Sequence, residues 1–186
     1  KSDDFTSNGP AFLTPQPAGL TVGNANTIKF GYTRHLSDKW SIEFVAGIPP
    51  KHKVYGRGTL AAYGVIAEVK QMAPTAFLNY TFGDATDSLR PYVGVGLNYT
   101  KFIDRKTTPI SQIATGGPTS IKLTDSFGIA AQVGVNYKLT DRWVINASVA
   151  VADVQSDLTS TTGSIDRKTM IDFRPVVAGV GLSYRF

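Results

Sequence analysis

Over most of the chain apolar residues alternate with small or polar ones at a period of two. At the C-terminus Val176, Ala178, Val180, Leu182, Tyr184 and Phe186 share one parity, and Val177, Gly179, Gly181, Ser183 and Arg185 share the other. Val93, Val95, Leu97 and Tyr99 oppose Gly94, Gly96, Asn98 and Thr100, while Ile129, Ala131, Val133, Val135 and Tyr137 oppose Gly128, Ala130, Gln132, Gly134 and Asn136. The same division recurs from Trp143 to Ala152, from Trp40 to Ile48, from Thr75 to Phe82 and from Ile28 to Thr33. Successive side chains of a strand point to opposite faces, so this periodicity predicts seven strands and no long helix.

The second face decides which side is interior. A soluble barrel buries its apolar face and shows water a charged one, yet here the second face is mostly Gly, Ala, Ser, Asn and Thr. Such residues suit a narrow lumen, which places the apolar face in lipid. Trp40, Tyr137, Trp143, Tyr184 and Phe186 fall at strand ends beside short turns, where an interfacial aromatic girdle belongs. No apolar run is long enough for a transmembrane helix, which a barrel does not need, since its strands cross with about 9–11 residues. Connections alternate in length. Ser37–Lys39, Gly83–Leu89 and Thr140–Asp141 are short, whereas 49–72, 105–120, 153–172 and the leading stretch 1–26 are long and rich in Gly, Pro, Ser, Thr and charge. The expected architecture is all-β: a single antiparallel up-and-down transmembrane barrel over 1–186, with 1–26 an external loop region and 27–186 the seven strands. Long loops are expected outside the cell and short turns in the periplasm.

Seven is an odd count, and bacterial single-chain barrels have an even one. Backbone groups without partners in hydrocarbon cost several kcal/mol each, so eight strands are expected. Pro10, Pro15 and Pro17 make 1–26 a poor candidate for the eighth. The expectation is a first strand preceding Lys1, in a mature or trimmed chain without a leader.

The motifs Phe82-Gly83-Asp84, Arg90-Pro91-Tyr92-Val93-Gly94 with Asn98-Tyr99-Thr100, Asp125-Ser126-Phe127-Gly128 with Gly134-Val135 and Tyr137, and Tyr184-Arg185-Phe186 resemble, in order and spacing, the outer membrane protein W family of Gram-negative bacteria. The resemblance covers about residues 27–186. It implies an eight-stranded barrel taller than the membrane, with a narrow apolar lumen that passes small hydrophobic molecules into the bilayer through a lateral opening. It also places Pro74 at that opening and Val45 and Ala150 at a lumen constriction. Ala150 stands where some relatives carry an aromatic, and Arg174-Pro175-Val176 replaces an Asp-Pro-Trp, so the constriction is expected to be wider. Pro74 fits its role chemically, since proline has no N–H to give a ladder. Inward Gly94, Gly96, Gly134, Gly179 and Gly181 are expected to leave free space in the bore, favouring a conduit over a plugged core. Lys29, Glu43 and Arg185 are expected to face the lumen and pair as ions. Tyr184 and Phe186 match the C-terminal assembly signal of outer-membrane barrels, which implies the barrel assembly machinery as a partner.

Charge and composition narrow the alternatives. The formal net charge is +5, but the basic residues scatter and form no stripe with stacking aromatics, so nucleic acid is not expected. Lys51, Lys53 and Arg57, with His52 among them, share one long connection and suit anionic lipopolysaccharide in the outer leaflet. There is no cysteine, and His35 and His52 stand at no metal-ligand spacing, so neither an enzyme nor a cofactor is expected. Gly94-Val95-Gly96 lacks the helix a nucleotide fingerprint requires. Two functions remain: a conduit for small hydrophobic solutes, and a structural or recognition barrel whose external loops bind lipopolysaccharide, host or phage. A dry, uncharged lumen favours the first, and a lumen closed by a charge network the second.

Overall fold

The computed structural model describes residues 6–8 and 18–186. In chain order the strands are β1 (Thr6–Ser7), β2 (Ala18–Val22), β3 (Lys29–His35), β4 (Trp40–Gly47), β5 (Lys51–Gly58), β6 (Val65–Met72), β7 (Thr75–Thr81), β8 (Leu89–Thr107), β9 (Thr119–Leu123), β10 (Ser126–Lys138), β11 (Trp143–Ala152), β12 (Val154–Thr162), β13 (Ile165–Phe173) and β14 (Val176–Tyr184). A 3-10 turn at Ala61–Tyr63 and one short α-helix, α1 (Pro109–Thr115), interrupt them among the described residues.

The seven anticipated strands form one antiparallel ladder, β3-β4-β7-β8-β10-β11-β14. It is curled. Glu43 on β4 and Gln132 on β10 are separated along the ladder by β7 and β8, yet their side chains meet at 2.8 Å. The outer face is the apolar one: Val95 is 66% exposed and Val180 80%, in company with Phe30, Phe44, Ile129 and Leu182. Along β10 the outward band runs from Tyr137 to Phe127, ten steps. At about 3.4 Å per step and a tilt near 40° it stands roughly 26 Å tall, close to the apolar height of a membrane barrel.

The short turns repeat one device. In Leu36-Ser37-Asp38-Lys39-Trp40 the Ser37 Oγ accepts from the N–H groups of Lys39 (3.3 Å) and Trp40 (3.1 Å). In Leu139-Thr140-Asp141-Arg142-Trp143 the Thr140 Oγ1 accepts from Arg142 (3.2 Å) and Trp143 (3.0 Å). A hydroxyl that satisfies two turn N–H groups fixes where the next strand starts, and so delivers each Trp to the rim. There Trp40 meets Tyr80, and Trp143 meets Tyr184, edge to face with centroids 5.1 Å apart.

At the other end the long connections are not loops. Residues 51–58, 65–72, 101–107, 119–123, 154–162 and 165–173 continue as strands, with β2 paired to β5 and β1 to β13. They form two sheet faces, β2-β5-β6-β8 and β9-β12-β13, that enclose an apolar core of Val54, Leu60, Ile66, Val69, Phe102 and Val154. Of the stretch 1–26 expected as loop, 18–22 is therefore strand, and Pro10, Pro15 and Pro17 lie outside the described residues. Composition misled because outward charges on these strands resemble loop sequence.

The polarity of the alternation inverts between the two regions. Along β8 the outward residues are Val95, Leu97 and Tyr99 and then Lys101, while the inward ones are Asn98 and Thr100 and then Phe102. A strand leaving hydrocarbon for water must make that exchange, since the low-dielectric side changes from outside to inside. Among the described residues β3 pairs with β4 alone and β14 with β11 alone. The Lys29 amine bridges these edges, lying 2.7 Å from where a Cβ of Gly179 would stand.

Candidate functional site: an apolar cavity above a polar plug

The core of the extension is incomplete, leaving a cavity of about 300 Å³. Its walls come from both sheets: Leu20, Val54, Ile66 and Val69 on one, Ile121, Leu158 and Ile171 on the other, with the Phe102 and Phe173 rings 6.4 Å apart below. Helix α1 closes a flank with Ser111, Ala114 and Thr115. This helix was expected as loop, although its boundaries are written in the sequence. Thr108 caps its first turn by accepting from the Ser111 N–H (3.2 Å), Pro109 opens it, and Gly116 ends it at φ 81°. A relay of hydroxyls follows: Thr115 meets Thr119 at 2.6 Å, Thr119 meets Thr162 at 2.7 Å, and buried Arg167 donates to Thr162 at 3.1 Å.

Beneath the cavity the wall is interrupted. The β4–β7 ladder ends at Val45 opposite Thr75, and the β5–β6 ladder begins at Lys51 opposite Lys70. Between them lie Pro49 and Pro50 on one strand and Pro74 on the next. Three prolines at one level remove three donors from the same stretch of wall. The freed Ala73 carbonyl accepts instead from Thr75 Oγ1 at 3.2 Å. Asn98 donates to that hydroxyl at 2.8 Å, and Thr100, fully buried, donates to Asn98 at 2.7 Å. Gln71 lines the cavity, and its N–H reaches the Pro50 carbonyl at 3.4 Å, so the cavity floor and the break adjoin. Pro74 thus sits at an interrupted ladder, as its residue type implied. Sequence reasoning missed its counterparts Pro49 and Pro50, whose adjacency was the available signal.

Below the break the bore is closed. Asn79 Nδ2 donates to Glu43 Oε2 at 2.9 Å, and Gln132 Nε2 donates both to that oxygen and to Asn79 Oδ1, each at 2.8 Å. Asn79 and Gln132 stand over Gly94, where a Cβ would come within 2.0 Å of Asn79 Oδ1 and 3.0 Å of Gln132 Cγ. Tyr92 lies over Gly134 in the same way (2.5 Å), and Phe77 lies over Gly96 (2.8 Å). Asn146 covers Gly181, and Lys29 covers Gly179. The expected free space above these five glycines is therefore occupied: each lacks a side chain so that a neighbour's can cross it.

The expected ion-pair network is replaced as well. Among the described residues Glu43 makes no ion pair and takes amide donors instead, and Lys29 lies at the seam. Arg185 is exposed past the end of β14, its backbone N–H bonded to Arg142 O at 2.8 Å. Carboxamides solve the problem of a carboxylate in a narrow bore, because each brings a donor without a second desolvated charge. Val45 and Ala150 both occupy the inner face, Val45 opposite Thr75 beside the wall break and Ala150 opposite Gln132. The closure itself is made by Glu43, which sequence reasoning had placed in the lumen, together with Asn79 and Gln132, which it had not selected. Of the basic cluster, Lys51 pairs with Glu68 at 2.9 Å, Lys53 is exposed on β5, and Arg57 borders the cavity. Tyr184 belongs to the aromatic rim, and Phe186 stands 99% exposed beyond it.

Residues 4–186 match the OmpW family. The chain belongs to that family. It is 38% identical over 167 residues to outer membrane protein W of Vibrio cholerae serotype O1, covering 88% of this chain and 75% of that one. The crystal structure of the outer membrane protein OprG from Pseudomonas aeruginosa superposes with a TM-score of 0.88 at 29% identity, covering 100% of this chain and 88% of that one. A more distant relative is the dibenzothiophene metabolism operon protein PahQ of Pseudomonas aeruginosa, 26% identical over 188 residues, covering 98% of this chain and 83% of that one. As a member of the OmpW family the chain is an outer-membrane β-barrel, and the relatives' names carry no enzymatic activity.

Proposed function

We propose that the barrel carries small hydrophobic molecules passively across the outer leaflet, from the extracellular side into the bilayer, through the wall break at Pro49, Pro50 and Pro74. The observation that carries this reading is the adjacency of an apolar cavity, a gap in the wall and a polar plug, in that order down the barrel. An apolar solute in the cavity meets buried amides below it and hydrocarbon beside it, and desolvating those amides costs more than moving sideways. The name of the PahQ relative, with its link to a polycyclic aromatic, agrees with an apolar cargo. In this orientation the extension faces outward, and Lys51, Lys53 and Arg57 lie where lipopolysaccharide phosphates would meet them.

The recognition reading keeps one supporting observation, since the lumen is closed by a polar network; but that network closes only the lower bore. The test is uptake of an apolar fluorophore by proteoliposomes carrying the intact barrel, against empty ones. Ala114→Trp, which fills the cavity, and Pro74→Val, which restores a ladder donor at the break, are each expected to slow uptake severalfold. If instead Ala150→Trp in the plug layer slows it and those two do not, the route runs down the lumen. Uptake no faster than in empty liposomes, from a folded barrel, leaves recognition as the function.

A further inference from the structure

The cavity holds a polar group that its apolar lining does not explain. His52 projects into it from β5, beside Val54. Its Nδ1 lies 2.9 Å from the Gly23 carbonyl, and a carbonyl oxygen can only accept, so Nδ1 carries a proton. Gly23 is itself held by its N–H bond to Lys53 O at 2.8 Å, which fixes the ring's direction. In the neutral ring Nε2 is then an acceptor. That nitrogen is buried and has no hydrogen-bond partner among the described residues. Buried acceptors are seldom left so, because the lost hydration is not recovered. No Asp or Glu is among the described residues lining the cavity, so no carboxylate there competes for a donor.

We infer that the cavity selects, among apolar molecules, those bearing one hydroxyl donor, phenols and hydrophobic alcohols, by a hydrogen bond to His52 Nε2. This rests on the reading of the cavity as the site that takes up apolar solutes, and names the class within it. A hydrocarbon of equal size fills the same space and leaves Nε2 bare; an ether adds an oxygen but no donor.

The experiment measures binding of naphthalene, 2-naphthol and 2-methoxynaphthalene to the barrel in nanodiscs, each corrected for partition into protein-free nanodiscs. The expected result is 2-naphthol bound about tenfold more tightly than either of the others, the scale of one recovered hydrogen bond in a dry site. His52→Asn, which keeps a donor for Gly23 but places no acceptor at the Nε2 position, should bring the 2-naphthol to naphthalene ratio near one. His52→Gln, whose amide oxygen reaches further, should restore part of it. A ratio near one in the unsubstituted protein, a ratio unaltered by His52→Asn, or 2-methoxynaphthalene binding as well as 2-naphthol, would each overturn the inference. Loss of naphthalene binding in Ala114→Trp locates the probe in the cavity independently of His52. If naphthalene does not bind the unsubstituted protein at all, the cavity reading fails with it.

Discussion

The barrel and its extension are built from the same strands with the same two-residue alternation, and they put it to opposite use. In the barrel Val95, Leu97 and Tyr99 look outward while Asn98 and Thr100 are sealed inside; in the extension Lys51, Lys53 and Lys168 look outward while Val54, Phe102 and Val154 are sealed inside. Each face follows its solvent, lipid in one case and water in the other. The switch has a functional consequence, because only the region with an apolar interior can hold an apolar guest, and only the region with an apolar exterior can release it into a membrane. The prolines stand where one regime gives way to the other.

The sharpest way to break this comparison is to place the same charge on the outer face of each region. Val95→Arg on β8 puts a guanidinium near mid-depth in hydrocarbon and is expected to cost about 2–4 kcal/mol of folding free energy. Met170→Arg, on an outward position of β13, is expected to stay within about 0.5 kcal/mol. Denaturant unfolding from lipid vesicles measures both. Equal costs would mean that the outer face of the extension also lies in an apolar medium, and the inversion would lose its meaning.

How much of this was legible beforehand follows from the same inversion. Seven strands, their facing and the Trp-bearing turns could be read from alternation because the lipid-facing residues are uniformly apolar, and Val176 to Phe186 alone nearly suffices. The extension could not, because Lys51-His52-Lys53-Val54 has charge on its outward positions and one apolar residue inward, a pattern that composition assigns to loops. Pro74 was singled out for its missing donor, whereas Pro49 and Pro50 were absorbed into a supposed loop. The plug was missed for another reason. Asn79 and Gln132 were recognised as inward, yet nothing in sequence tells that positions fifty-three residues apart meet across a bore at 2.8 Å. Glycine was misread as space because alternation reports which way a side chain points and not what arrives from the opposite wall.

A smaller effect tests the interior of the comparison. Asn79→Ala removes the amide that both donates to Glu43 and accepts from Gln132, leaving Gln132 as the donor to that carboxylate. The expected cost is about 1–3 kcal/mol, that of a buried polar group deprived of a partner. A measurable ion leak through reconstituted barrels should accompany it. Full stability and no leak would show that the three side chains fill the bore without sealing it.

The smallest effect should be concentrated in the extension, where two carboxylates pair with lysines in water; the barrel's own depressed carboxyl, Asp141 beside Lys138, lies in a short turn beyond the end of β10. Lys51 bonds Glu68 at 2.9 Å and Lys70 bonds Asp104 at 2.8 Å, and these lysine hydrogen bonds hold both carboxyl groups below their ordinary range. A carboxyl depressed in the folded state binds its proton more readily when unfolded. Its contribution is therefore complete above the ordinary carboxylate value of about 4 and is lost as pH falls through the depressed folded value. The pairs are exposed, so the loss is slight and will not unfold the protein. Amide exchange detects it as a ratio, since β5 and β6 can be compared with β7 and β10 in one sample and the intrinsic pH dependence of exchange cancels. Between about pH 6 and about pH 3 the ratio should rise in favour of the extension, and Glu68→Gln with Asp104→Asn should raise it at the higher pH already. A flat ratio would mean that the extension is held by its apolar core alone, the mirror of a barrel held by the polar contacts in its bore.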